Sequence, residues 1–334
     1  MHLNSSIASL DKNKRLHDIS LDSDDSADSN HQGEHLHDQL EQLLLRYCAQ
    51  HSGVIGTALA YHFKAGGNRT RANLALASAH SLRIPTDSAL AIAAAVEMLH
   101  NASLIHDDLQ DGDSRRRGCP SVWKLYGKNT ALLCGDALIN SCYQALSELD
   151  IPHLGKLIAV TSQRVQETIN GQARDVTIME QHSATSLSLE DCTEVAVAKS
   201  GPLLALPLEL TFLYVGQSLH AELSAEACMH YAIAYQFLDD INDYRRDESR
   251  HAVNAINIIA NDIKHHIARY PDIDFLDDKH KFSAINKLAK QKLLNRIHSH
   301  LHRSQMAISR LPEANAGVLL CAVNSLISKL DEIH

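Results

Sequence analysis

The stretch His100-Asn101-Ala102-Ser103-Leu104-Ile105-His106-Asp107-Asp108-Leu109-Gln110-Asp111 closes an otherwise apolar run that begins near residue 89. Apolar residues followed by acids at i, i+1 and i+4 read as a buried helix with an acidic last turn. Asp107 and Asp111 then share one face, ~6 Å apart along the axis. Like charges so placed repel, and at the end of a buried stripe they call for a cation. Hard oxygen donors favour Mg2+, which takes one or two carboxylates and completes its shell with water and substrate phosphate.

A second stretch repeats the pattern: Tyr235-Gln236-Phe237-Leu238-Asp239-Asp240-Ile241-Asn242-Asp243. One acidic triplet is about as often a solvated helix face. Two matching triplets, each closing an apolar helix, point to several Mg2+ ions clamping one diphosphate. Arginines beside the first triplet support this: Ser114-Arg115-Arg116-Arg117-Gly118 follows it, and Gly66-Gly67-Asn68-Arg69-Thr70-Arg71 precedes it. The fixed fork of a guanidinium suits phosphate oxygens.

Outward from these motifs the chain keeps a helical period. Leu36, Leu40, Leu43 and Leu44 recur at spacings of three and four. Similar stripes cover 89–104, 131–146, 154–169, 195–213, 225–241, 253–268 and 285–301. Pro85-Thr86-Asp87 reads as a helix start with Thr86 or Asp87 as cap. With seven prolines, fourteen glycines and no convincing alternating strand, the expectation is an all-α bundle forming a single domain over 36–334. Residues 1–35 are polar and Ser/Asp-rich and read as a disordered acidic tail.

The 334 residues carry a formal net charge of −9, of which −4 falls within residues 1–34. An acidic chain lacks the basic footprint of a nucleic-acid binder. No run of about 18 apolar residues occurs; the stretch 201–217 comes nearest and is interrupted by Pro202, Pro207 and Glu209. No transmembrane segment and no secretory signal are therefore expected. Seven cysteines without a CxxC pair fit free thiols in a reducing cytoplasm.

Taken together, these motifs resemble the trans-isoprenyl diphosphate synthases, the polyprenyl synthetase family. Asp107-Asp108-x-x-Asp111 with Arg116-Arg117-Gly118 resembles the family's first Asp-rich motif, and Gln236-x-x-Asp239-Asp240-x-x-Asp243 the second. Gly135-Asp136, Gly171-Gln172-x-x-Asp175 and Lys199-Ser200 fall in family order between them. The resemblance implies an isoprenoid synthase-type bundle with a central cavity between facing Asp-rich helices. It implies that Asp107, Asp111 and Asp239 bind Mg2+ on an allylic diphosphate, supported by Asp108, Asp240 and Asp243. Arg116 and Lys199 would contact that diphosphate, while Asn68, Arg71, His100 and Arg117 would hold isopentenyl diphosphate. Gln172, Ser200 and Gln236 complete the implied site, in a homodimer.

Two departures stand out. The family's Gly-Gly-Lys is Gly66-Gly67-Asn68 here, and Arg69 is a candidate replacement for the missing cation. After Asp243 the chain is shorter than the family pattern and has no lysine, leaving Arg246 or Arg250 as substitutes. These keep open a terpene cyclase of the same fold and a non-catalytic regulatory subunit. The cyclase reading fits poorly with 4% aromatic residues, because cyclases steer cations with aromatic faces. Small residues at Ala102 and Ser103, just before Asp107, resemble makers of C20 or longer products. Other features read as structural: His298-x-His300-x-His302 as a solvated face, Phe275-Leu276-Asp277-Asp278 as a loop, Trp123 as packing under the Arg116-Arg117 loop, and Cys134 and Cys142 as core.

Overall fold

The computed structural model describes residues 26–181, 188–250 and 254–331. In chain order the helices are α1 (Ser26–Ala49), α2 (Gly53–Lys64), α3 (Thr70–Ser81) and α4 (Thr86–Gln110), then α5 (Val122–Tyr126), α6 (Lys128–Ser147) and α7 (Leu154–Gln181). They continue as α8 (Leu189–Tyr214), α9 (Ser218–Arg250), α10 (Ala255–His265), α11 (Pro271–Asp274), α12 (Asp278–Ile308) and α13 (Glu313–Asp331). The only strands among the described residues are β1 (Arg115–Arg116) and β2 (Cys119–Pro120), paired antiparallel. The expected all-helical architecture is the one observed. The first described helix starts at Ser26, inside the stretch that composition marks as tail; residues 1–25 lie outside the described residues.

The chain divides into two compact units: Met1–Val165 with Leu206–Glu222, and Gln166–Ala205 with Leu223–His334. In the first, α4 is buried from Ala89 to Ile105 on nearly every side. An alanine-rich helix permits this, because short side chains let neighbouring helices approach closely. Leu40, Leu44 and Tyr47 of α1, Leu59 and Phe63 of α2, and Leu138 and Cys142 of α6 are buried with it. Cys134 and Cys142 are indeed core residues. In the second unit α10 packs on α12, and α12 on α13. Ile256, Ile259 and Ile263 of α10 and Ile285, Leu293 and Ile297 of α12 supply the apolar surface.

Helix starts differ from the expected caps. Pro85 is the N-cap of α4, and its carbonyl accepts from Ala89 N at 2.9 Å. Thr86 and Asp87 are thus already helical, where Asp87 complements the positive helix end. The stretch read as a loop at Phe275–Asp278 contains a true cap: the Asp277 carboxylate accepts from Lys279 N and His280 N to open α12. By length and composition, α4 and α8 match a membrane span, yet most of each is buried in protein. Both are core helices.

Candidate active site

In the first unit the C-terminal turn of α4 carries Asp107, Asp108 and Asp111. Asp111 caps the helix, its N–H donating to Asp107 O at 2.8 Å. Asp107 and Asp111 are partly exposed, whereas Asp108 is turned inward and is 1% exposed. Burial raises the Asp108 carboxyl above its usual range, and Arg116 works against that rise. The Arg116 guanidinium meets Asp108 with Nε 2.8 Å from both carboxylate oxygens and Nη2 2.6 Å from Oδ1. This pairing holds Arg116, on β1, against the end of α4. The hairpin turn beyond it is tight: Arg117 and Gly118 both have positive φ, 52° and 81°, as a two-residue hairpin requires. Trp123 anchors the same loop through Nε1 to Asp113 O at 2.8 Å. The Arg117 guanidinium reaches back to the Gly66 carbonyl and lies against Gly67.

Behind this loop lies a buried polar cluster that the motif reading only half anticipates. Arg71 Nη1 lies 3.2 Å from His100 Nε2, joining α3 to α4. Arg71 is buried and His100 partly so. Burial pulls Arg71 down to about 10, and burial together with Arg71 holds His100 well below the usual histidine range. His100 is therefore a neutral acceptor toward the guanidinium. Glu97, one turn earlier, is 1% exposed and accepts from Asn101 Nδ2 at 3.0 Å. Asn101 in turn bonds His62 Nε2 at 2.9 Å. The signal that could have found Glu97 is its isolation: a lone acid in an alanine-rich stripe must be paired.

Arg69 does not fill the gap left by Asn68. It adopts a left-handed backbone, φ 49°, and its side chain is 2% exposed. Its Nε and Nη2 lie 2.5 and 3.1 Å from the Glu41 carboxylate, and Nη1 lies 3.5 Å from Glu97. The guanidinium is consumed by an internal network. Asn68 itself is exposed, with its carbonyl accepting from Asn73.

Two of the sequence motifs gain a physical explanation. A Cβ at Gly135 would meet His106 Nε2 at 2.0 Å, so that glycine makes room for the imidazole. In the second unit a Cβ at Gly171 would meet the backbone of Ala198 and Lys199 at 2.5 and 2.6 Å, so α7 and α8 approach there only without a side chain. Four residues on, Asp175 accepts from Lys199 Nζ at 2.7 Å. Gln172 and Ser200 flank these contacts, both partly buried.

The second acidic segment lies on α9. Asp239 and Asp243 are partly exposed. Asp240 is engaged structurally: Oδ1 accepts from Gln236 Nε2 at 2.9 Å and Oδ2 from Ala255 N at 3.0 Å. Asn254, fully buried, caps α10 through Ile256 N and donates to Asp240 O at 2.8 Å. Burial pushes the Cys192 thiol up to about 12, reinforced by Asp240, Asp191 and Asp175. The side chains of Arg246 and Arg250 lie outside those described. His298 and His302 are exposed as expected, but His300 turns inward, its Nδ1 3.1 Å from His230 Nδ1.

Among the described residues no three His, Cys, Asp or Glu side chains form a metal cage. The donor set at Asp107 and Asp111 suits Mg2+ all the same: paired hard oxygens, partly exposed, at the negative end of a helix.

The family model for polyprenyl synthetase matches residues 53–300. The (2E,6E)-farnesyl diphosphate synthase of Mycobacterium tuberculosis (strain ATCC 25618 / H37Rv) is 36% identical over 177 residues, 52% of this chain and 48% of that protein. The chain thus spans about half the length of that relative. The chloroplastic geranylgeranyl pyrophosphate synthase of Capsicum annuum is 30% identical over 257 residues, 72% of this chain and 66% of that protein. Among solved structures, a polyprenyl synthetase from Streptomyces coelicolor A3(2) aligns with a TM-score of 0.71 at 23% identity, covering 88% of this chain and 98% of that one. That likeness is one of fold, the isoprenoid synthase-type helical bundle.

Proposed function

The chain belongs to the polyprenyl synthetase family, and from that premise we propose that it is a Mg2+-dependent prenyltransferase. It condenses an allylic diphosphate with isopentenyl diphosphate, giving a polyprenyl diphosphate of C20 or longer. The observation that carries this reading is the cluster of arginines at and behind the hairpin. Arg71 is buried beside His100, and the Arg117 guanidinium reaches back from the hairpin to lie against Gly66 and Gly67. Desolvated positive charge is costly unless an anion completes it, and a diphosphate supplies that anion. A site for a second diphosphate is what condensation needs and cyclisation does not.

In this reading Arg71, Arg117 and His100 receive isopentenyl diphosphate, with Asn68 at the rim. Asp107 and Asp111 supply Mg2+ ligands, as does Asp239 of the second acidic segment. Bound Mg2+ neutralises charge developing on the leaving diphosphate. Arg116 and Lys199 contact the allylic diphosphate, and their pairing with Asp108 and Asp175 limits the directions in which their donors point. Asp240, Asp243 and Gln236 support the α9 segment. Product length rests on Ala102 and Ser103, which present no bulk near the first motif. A homodimer in a reducing cytoplasm completes the proposal; the seven cysteines are all free thiols.

One assay tests this. Purified protein with Mg2+ is given dimethylallyl, geranyl, farnesyl or geranylgeranyl diphosphate, with and without isopentenyl diphosphate, and products are identified by mass spectrometry. Elongation that requires isopentenyl diphosphate is the expected result. Hydrocarbon or alcohol formed without it would establish a cyclase instead. No turnover of any primer would favour a regulatory subunit.

A further inference from the structure

Three carboxylates on the last turn of α4 work against that turn. Asp107, Asp108 and Asp111 repel one another at a helix end that is already negative, so the turn frays unless it is anchored. Arg116 anchors one side through Asp108. The other anchor is His106, the residue before Asp107. Its ring sits over Gly135 of α6, where a Cβ would lie 2.0 Å from Nε2. Nε2 is 3.1 Å from Leu132 O and 3.9 Å from Asp136 Oδ1. The imidazole is thereby committed to α6.

We propose that His106, seated on Gly135, is a positioning residue that keeps Asp107 and Asp111 in register to bind the metal. The inference rests on the Mg2+ reading given above. It assigns a task to a glycine inside a helix, where glycine is otherwise less favourable than alanine. Alanine at 135 pushes the ring off its seat, and the acidic turn loses its α6 anchor. His106 touches no reacting atom in this account; it acts through Asp107 and Asp111.

The test is a Mn2+ binding isotherm, in the presence of inorganic pyrophosphate, for wild type, Gly135→Ala, His106→Ala, His106→Gln and the double variant Gly135→Ala/His106→Ala. Circular dichroism melts check that each is folded. Gly135→Ala and His106→Ala should each weaken Mn2+ binding about tenfold, the scale typical of residues that orient metal ligands. His106→Gln should recover most of the affinity, because its amide N–H can reach Leu132 O. The double variant should bind no worse than His106→Ala, since alanine at 135 then faces an empty seat. In turnover, half-saturating Mg2+ should rise in parallel while kcat at saturating Mg2+ stays within about twofold.

Wild-type affinity in both single variants would overturn the proposal. So would additive losses in the double variant, or a His106→Gln as impaired as His106→Ala. If Gly135→Ala does not fold, the comparison of His106→Gln with His106→Ala decides. A wild type that binds no Mn2+ with pyrophosphate would instead defeat the metal reading itself, and this inference with it.

Discussion

One backbone torsion decides what Arg69 can do. Its left-handed φ of 49° turns the side chain toward Glu41 and Glu97 rather than the loop. The residue that looks in the sequence like a replacement for the family lysine is therefore spent inside. Position 68 is exposed and open to substitution. Asn68→Lys should add one charge-assisted bond to isopentenyl diphosphate, worth about 1.5–3 kcal/mol. KM for that substrate should fall about tenfold or more with kcat little changed. An unchanged KM would mean that residue 68 does not reach the diphosphate. Ala102 is 2% exposed, just before Asp107. Ala102→Phe should shift products below C20 in the mass spectrometric assay, and an unaltered distribution would remove it as a length determinant. At this scale the acids and arginines were legible because their spacing is local. Glu97, Asn101 and His62 were not, because tertiary approach alone pairs them.

Among elements, the helices were legible from apolar spacing, while their ends and joints were not. The stripe over 225–241 belongs to a helix that runs to Arg250, and α4 starts at a proline carbonyl rather than a side-chain cap. The joint between α9 and α10 shows why. Asn254 uses one end of its amide to cap α10 and the other to hold Asp240 O, while the Asp240 carboxylate takes Ala255 N. A cap of this kind depends on two helices meeting, which no window of sequence contains. Asn254→Ala should cost about 2 kcal/mol, the upper range for a cap, because the Asp240 carbonyl loses its donor as well. The urea midpoint should fall at constant m-value. Asn254→Asp keeps the cap acceptor but sets a buried carboxylate against the Asp240 carbonyl and carboxylate, so it should be at least as unstable as Asn254→Ala. Equal stability of Asn254→Ala and wild type would show that the joint is held elsewhere.

For the whole molecule, a net charge of −9 conceals a cluster of arginines in the first unit, Arg69 and Arg71 buried and Arg116 and Arg117 beside them. Burial, reinforced by those cations, sets the acid limit of stability through imidazoles held below their usual range, His62 and His100 among them. Burial, then Arg117, hold His62 down to about 3, with Asn101 opposing; burial, then Arg71, hold His100 well below its usual range. In the unfolded chain both titrate near 6.5. As pH falls below about 6.5 the unfolded state therefore takes up protons that the folded state refuses. Stability is fully present above that pH and declines below it, by about 1.4 kcal/mol per pH unit for each such histidine. Urea midpoints at about pH 7.5 and about pH 5.5 should differ accordingly. His62→Gln carries no proton and retains an amide to meet Asn101. Its midpoint should change with pH less than that of wild type, leaving the shares of His100, His230 and His300, which burial also holds down. A variant that loses stability with acid as steeply as wild type would show that His62 takes up its proton without unfolding, and that the cluster around Asn101 opens instead.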